Sequence, residues 1–209
     1  MRGTRRMKII QQVSTSQKAI AFTFDDGPNP EYTPQLLDIF DEVGGRATFF
    51  MMGKQIELYP ETTRDVHLRK HEIGNHTYSH PFMTQISLEE CERELRDTDS
   101  LITQVTGTPP VVMRPPYLDY NTEVHAVTDK FAYPVIGSVN GGARDWELPG
   151  VDHILEVTRA QIGCGSILLF HDGFGDRSQT IEAVRILANE LTAQGYQLVT
   201  VSELLQMAE

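Results

Sequence analysis

The run Thr23-Phe-Asp-Asp-Gly-Pro28 ends an apolar stretch with two adjacent carboxylates, Asp25 and Asp26. Aspartate, glycine and proline all favour turns, so on its own the tetrapeptide DDGP reads first as a turn. It also places two acid–base groups side by side. His76 and His80 form a second cluster, spaced i, i+4. On a helical turn that spacing puts both imidazoles on one face, where they can share an ion. A carboxylate as third ligand would leave an open coordination position, the pattern of a catalytic zinc site. Alone, HxxxH fits two unrelated histidines as well as a metal pair, and the aspartates matter because they would supply the missing oxygen. Arg114, the pair Asp145-Trp146 and the pair His171-Asp172 complete the candidates.

Elements must bring these residues together. Lys18 to Phe24, Arg46 to Met51, Val111 to Met113, Tyr133 to Val139, Ser166 to Phe170 and Gln197 to Val201 read as strands. Helices are expected over Pro34 to Val43, Ser87 to Val105, Val151 to Ile162 and Ile181 to Gln194, with a short one from Ser202. The Ser87 helix has the clearest signature, a capping box with Glu90 and a glycine stop at Gly107. Such alternation implies an α/β fold with a mostly parallel sheet. With about seven units, an irregular (β/α) barrel is expected, and sites then gather at the C-terminal ends of the strands. Asp25-Asp26, Arg114, Asp145 and His171 follow predicted strands and GNHTYSH follows Glu72-Ile73, so they share one rim.

The rest of the chain narrows the setting. Its 209 residues suffice for one domain, expected over 18–209 behind an extension at 1–17. A formal charge of −11 argues against nucleic acid and anionic membrane as partners. No apolar run approaches the ~20 residues of a membrane span. The basic N-terminus, MRGTRRMKIIQQ, is not followed by an apolar core, so it is no intact signal peptide. The chain as given is therefore expected in the cytoplasm, or secreted or cell-wall associated if a leader has been removed. Cys91 and Cys164 form no CxxC and read as free thiols. His67, His71, His125 and His153 match no motif and read as surface or structural residues.

In their order and separation, TFDDGP, HTYSH, RPPY, DW and LLFHD resemble the polysaccharide deacetylases, carbohydrate esterase family 4 or NodB homology domain. The resemblance spans Thr23 to about Val201. It implies an irregular (β/α) barrel and a metal-dependent hydrolase that removes acetyl groups, usually from N-acetylglucosamine residues and sometimes from xylan. It assigns Asp26, His76 and His80 to the metal, with zinc as the default and cobalt or nickel fitting the same donors. It makes Asp25 the base that takes a proton from metal-bound water, fixed and kept ionised by Arg114. Adjacent side chains at an extended strand end point to opposite sides, which would let Asp26 face the ion and Asp25 the water. His171 becomes the general acid, held by Asp145. In the Arg114-Pro115-Pro116-Tyr117 stretch, the peptide N–H of Tyr117 donates to the oxyanion, while Trp146 and Leu169 wall the acetyl pocket.

Two departures from the family stand out. Gly142 occupies a position that is often aspartate, and Arg144, directly before Asp145, is placed to compete for that carboxylate. The second is the missing export signal, since a cell-wall or chitin substrate lies outside the cytoplasm. A carbohydrate N-deacetylase of chitooligosaccharide or peptidoglycan type, acting as a monomer, is the leading expectation. An O-acetyl xylan esterase with the same machinery and a non-catalytic carbohydrate-binding protein are the alternatives.

Overall fold

Buried, mostly apolar parallel strands form the centre of the molecule. The computed structural model describes residues 7–209. In chain order its strands are β1 (Ile9–Ile10), β2 (Ala19–Asp25), β3 (Thr48–Met51), β4 (Glu72–Asn75), β5 (Val135–Ile136), β6 (Ile167–His171) and β7 (Gln197–Leu198). The helices are α1 (Tyr32–Glu42), α2 (Gly53–Leu58), α3 (Pro60–Leu68), α4 (Leu88–Thr106), α5 (Thr122–Thr128), α6 (Val151–Arg159), α7 (Ser178–Ala193) and α8 (Val201–Gln206). The main sheet runs β4-β3-β2-β6, with β7 joined to the start of β2. A second pair, β1-β5, is tied to β4 by single bridges through Met113 and to β6 by a bridge from Gln12 to Ser166. The result is the irregular α/β barrel expected, with seven strands among the described residues.

Every residue of β2 is buried, as a central parallel strand demands. Its alternation sorts the molecule into two sides. Phe22 and Phe24 pack outward with Phe40, Phe49 and Phe170 beneath the helical layer. Ala19 and Ala21 pack inward with Phe50, Ile136 and Ile167. Thr23 and Asp25 share the inward parity of β2, and Leu169 and His171 share that of Ile167 in β6. Asp25 and His171 are register partners at the same end of the two strands. The inside face is therefore small and apolar at the bottom and polar at the top.

Some boundaries differ from the sequence reading. The strand expected at Val111 to Met113 is reduced to bridges at Met113, because Pro109-Pro110 and Pro115-Pro116 leave little backbone able to donate to a ladder. Tyr133 to Val139 contracts to Val135–Ile136 after Pro134, and Gln197 to Val201 stops at Leu198 because Thr200 caps α8 with Glu203. Helices α2, α3 and α5 are additions. Each buries only one to three side chains, too few to make a readable stripe. Residues 1–6 of the expected extension lie outside the described residues, whereas Ile9–Ile10 pairs with β5 and Val13 is buried. The fold thus begins ahead of residue 18. No helix of the described residues is long and apolar enough to cross a membrane.

Candidate active site

At the end of β2 the chain leaves Asp25 in the strand and turns left-handed at Asp26, with φ 73°. The two carboxylates are therefore separated by a turn, not by the alternation of an extended strand. The carbonyl of Asp25 accepts the N–H of Asp172, which follows β6. The two loops interlock tightly. A Cβ on Gly173 would lie 2.1 Å from the Asp26 carbonyl oxygen, and one on Gly27 would lie 2.5 Å from the Asp172 carboxylate. Only glycine fits at either place.

The histidine pair also departs from expectation. β4 ends at Asn75, and the segment from His76 to His80 is a loop with left-handed residues at Thr77 (φ 66°) and His80 (φ 62°). Pro81, which disfavours helix at the preceding residue, is the signal against a helical turn. The loop still brings the rings to a centroid distance of 5.0 Å. Asn75 helps set it. Its side chain accepts the N–H of Thr77 and donates to the Leu95 carbonyl and the Asp99 carboxylate on α4.

Asp26 Oδ1 stands 3.3 Å from His76 Nε2 and 3.1 Å from His80 Nε2. One ligand atom from each of the three residues falls within 4.8 Å of the others. His76 Nδ1–H donates to the Arg114 carbonyl at 2.7 Å, a bond that turns the Nε2 lone pair toward Asp26. Asp26 Oδ1 is buried and lacks a hydrogen-bond donor, as a ligand oxygen would. Burial works to raise the Asp26 pKa, but the close His76 and His80 imidazoles, with the charges of His76 and His171, outweigh it and hold the carboxyl far below its usual range. Burial likewise works to lower His76, and the charges of Asp25 and Asp26 raise it overall. Two histidines contesting one carboxylate form a cluster that a cation would stabilise, and the residues fit a divalent ion.

Asp25 is 4% exposed and pairs with Arg114 at 2.7 Å. Arg114 is itself 1% exposed, and its remaining donors go to the Thr23 hydroxyl and to the carbonyls of Ile136 and Gly137. Its guanidinium lies 4.4 Å from the centre of the Phe50 ring. A buried ion pair this fully bonded is rigid, and deleting one partner would strand the other. The free oxygen of Asp25 lies 3.8 Å from His76 Nε2, beside the three-ligand cluster.

Across the rim, His171 Nδ1 is 2.8 Å from Asp145 Oδ1. The other Asp145 oxygen accepts the His171 N–H and the Thr180 hydroxyl, so the carboxylate cannot rotate. Burial lowers the His171 pKa, but Asp145 more than offsets it and leaves the imidazole raised. Arg144 does not compete for Asp145. It has a left-handed backbone and its ion pair, 3.6 Å long, is with Glu147. A side chain at Gly142 would meet Val157 at 3.5 Å, and the Gly142 carbonyl meets His153 Nε2.

Asp25, Asp26, His76, His80, Arg114 and His171 line one cavity of about 730 Å³, with Asp145 behind His171. Trp146 stands edge-on to His171, Leu169 forms the floor beside it, and Tyr117 stacks on Phe82 while presenting its face to the His80 edge. Tyr117 is left-handed at φ 58° in the turn Pro116–Leu118, and Pro115 rather than the buried Pro116 lines the cavity. Met52, Leu118, Gly141 and Phe174 also line it and were not singled out in the sequence, since no spacing sets them apart from ordinary loop and core residues. Asp172 does not join the rim. It is buried against Gly27 and accepts the Thr33 hydroxyl, and burial together with the nearby Asp26 and Asp25 charges pushes its pKa up to about 7. His71 is structural, as expected, with Nδ1 accepting the Ala47 N–H.

Comparison with known proteins agrees with this geometry. The family described as polysaccharide deacetylase matches residues 12–136. A peptidoglycan-N-acetylglucosamine deacetylase of Bacillus cereus is 39% identical over 93% of this chain and 92% of its own length. A chitooligosaccharide deacetylase of Azorhizobium caulinodans is 34% identical over 90% of this chain and 94% of its own. Among solved structures, a CE4 family pseudoenzyme from Bacillus anthracis superposes with a TM-score of 0.88 at 27% identity, over 97% of this chain and 70% of that one.

Proposed function

Because the chain belongs to the polysaccharide deacetylase family, we propose that it removes acetyl groups from N-acetylated sugars of a peptidoglycan or chitooligosaccharide type. In this reading Asp26, His76 and His80 hold one divalent ion, zinc by default among zinc, cobalt and nickel. A structural relative is a pseudoenzyme, so likeness of fold does not carry activity by itself. The observation that carries the reading is the convergence, in one cavity, of the Asp26-His76-His80 cluster with Asp25 paired to Arg114 and His171 paired to Asp145.

A divalent ion at this cluster lowers the pKa of water and polarises the acetyl carbonyl. Asp25 accepts the proton of the attacking water, and Arg114 fixes the carboxylate that does so. The peptide N–H of Tyr117 donates to the oxygen that gains charge, a contribution worth about 10²–10³ in rate. His171 donates a proton to the departing nitrogen, because an amide nitrogen leaves only as an amine. Asp145 accepts Nδ1–H and favours the imidazolium, whose Nε2–H is then the donor. Leu169 and Trp146 enclose the acetyl methyl. One proton enters Asp25 and one leaves His171, so the protein ends a turnover with both groups awaiting reset by solvent.

Acetate release from chitooligosaccharides and from acetylated xylooligosaccharides, measured side by side, tests the proposal. Release from the first supports it. Release from the second alone moves the assignment to an O-acetyl esterase. No release from either, with sugar binding retained, leaves a carbohydrate-binding protein.

A further inference from the structure

The loop that carries His76 and His80 has no regular secondary structure, yet its two ligand nitrogens converge on one oxygen of Asp26. Something outside the loop must hold it. Asn75 fixes the first residues through Thr77. The stretch between the histidines, Tyr78-Ser79, is held from α2 by the Lys54 N–H on the Tyr78 carbonyl and from α4 by one side chain. Glu94 Oε2 accepts the backbone N–H of Tyr78 at 2.8 Å and that of Ser79 at 2.7 Å. Its other oxygen accepts the Ser79 hydroxyl at 2.7 Å. Three donors of the loop thus end on a single partly buried carboxylate, by charge-assisted bonds of the stronger kind. Two backbone N–H groups that converge on one oxygen fix the peptide planes at Tyr78 and Ser79, and these planes lead directly into the left-handed turn at His80.

We propose that Glu94 is the positioning residue of the metal loop: it preorganises His80 relative to His76 and so sets the affinity for the ion, without touching the ion or the substrate. The proposal rests on the metal reading above. It explains the position of α4, whose Ser87 capping box fixes the helix start two turns before Glu94. Side chains that orient metal ligands are commonly worth about 10–100-fold in affinity.

The test is the Zn²⁺ affinity of the full chain, measured by competition with a chromogenic chelator, together with hydrogen exchange of the metal-free protein. Glu94→Ala should weaken Zn²⁺ binding by about 10–100-fold. It should also speed exchange at the Tyr78 and Ser79 amides while the β2 and β6 amides stay protected. Glu94→Gln keeps an oxygen for the two N–H groups and should recover most of the affinity. Glu92→Gln, on the same helix but paired with Arg96 and Lys130, should bind like wild type. Wild-type affinity in Glu94→Ala would overturn the proposal, as would a loss matched by Glu92→Gln. If Glu94→Ala does not fold, Glu94→Met decides, since it fills similar space with no oxygen for the Tyr78 and Ser79 N–H groups, and unchanged affinity and amide exchange in it would overturn the proposal. A wild-type chain that binds no Zn²⁺ would instead remove the metal reading itself.

Discussion

Asp25 and Asp26 are neighbours in sequence with opposite partners, an arginine on one side and two histidines on the other. Replacing them singly should separate their roles. Asp26→Ala should abolish metal binding while the fold persists, because the cluster sits above the core. Asp25→Asn should retain the metal and lower turnover by about 10²–10⁴, the usual range for a lost base. Metal content and acetate release on the same samples check both, and metal loss in Asp25→Asn alone would reverse the roles. His171 is tested by leaving group. An aryl acetate departs without protonation, so His171→Ala should slow deacetylation of an N-acetyl sugar by about 10²–10³ more than it slows the ester. Asp145→Asn should show the same preference more weakly. Asp145 raises the His171 pKa, and the acid must be protonated to act, so its loss should also move the alkaline limb of the pH profile to lower pH. Equal slowing of both substrates by His171→Ala would remove it as the acid. The common rim of these residues was legible because each follows a strand, and their pairings were legible only through the resemblance to the family. The Arg144 contact was not, because adjacency in sequence does not reveal which way a left-handed residue aims its side chain.

At the scale of elements, the site depends on how closely the loops after β2 and β6 approach. Gly173 touches the backbone of Asp26, which cannot yield as a flexible side chain would. Gly173→Ala should therefore displace Asp26 and lower Zn²⁺ affinity at least about tenfold, with the far-UV spectrum unchanged. Wild-type affinity in this variant would show that the loops have more slack than their packing indicates. The strands that bear the site, β2 and β6, could be read from sequence because buried parallel strands are continuous apolar runs. The capped helix α4 could be read for the opposite reason, having a polar start, a spaced apolar stripe and a glycine end. The HTYSH loop was misread as a helical turn because i, i+4 spacing is shared by helices and by loops held from outside. Its actual restraints, Asn75 and Glu94, lie in other elements and carry no local pattern.

For the whole molecule, acid stability has an identifiable source away from the site. His71 lies between the ring edges of Phe40 and Phe49, and burial lowers its pKa to about 4 from 6.5. Between those values the unfolded chain binds a proton that the native chain does not, so stability rises with pH across the window, and below it, where both states are protonated, the loss is complete and levels off. The loss is about 3 kcal/mol at most. Urea unfolding between pH 4 and 7 should show it, and His71→Asn, which keeps an acceptor for Ala47, should flatten the slope while lowering stability at neutral pH. An equal slope in both proteins would place the acid sensitivity elsewhere.

A metal-dependent acetyl hydrolase built on Asp26, His76 and His80, as proposed, must lose its activity with its ion. The most direct measurement is a zinc titration of the chelator-treated chain while acetate release from an N-acetylchitooligosaccharide is followed. Activity should be absent at the start, rise with added zinc and level off near one equivalent per chain, and the Asp26→Ala variant should stay inactive throughout. Full activity after chelation, or a zinc response that survives Asp26→Ala, would contradict it.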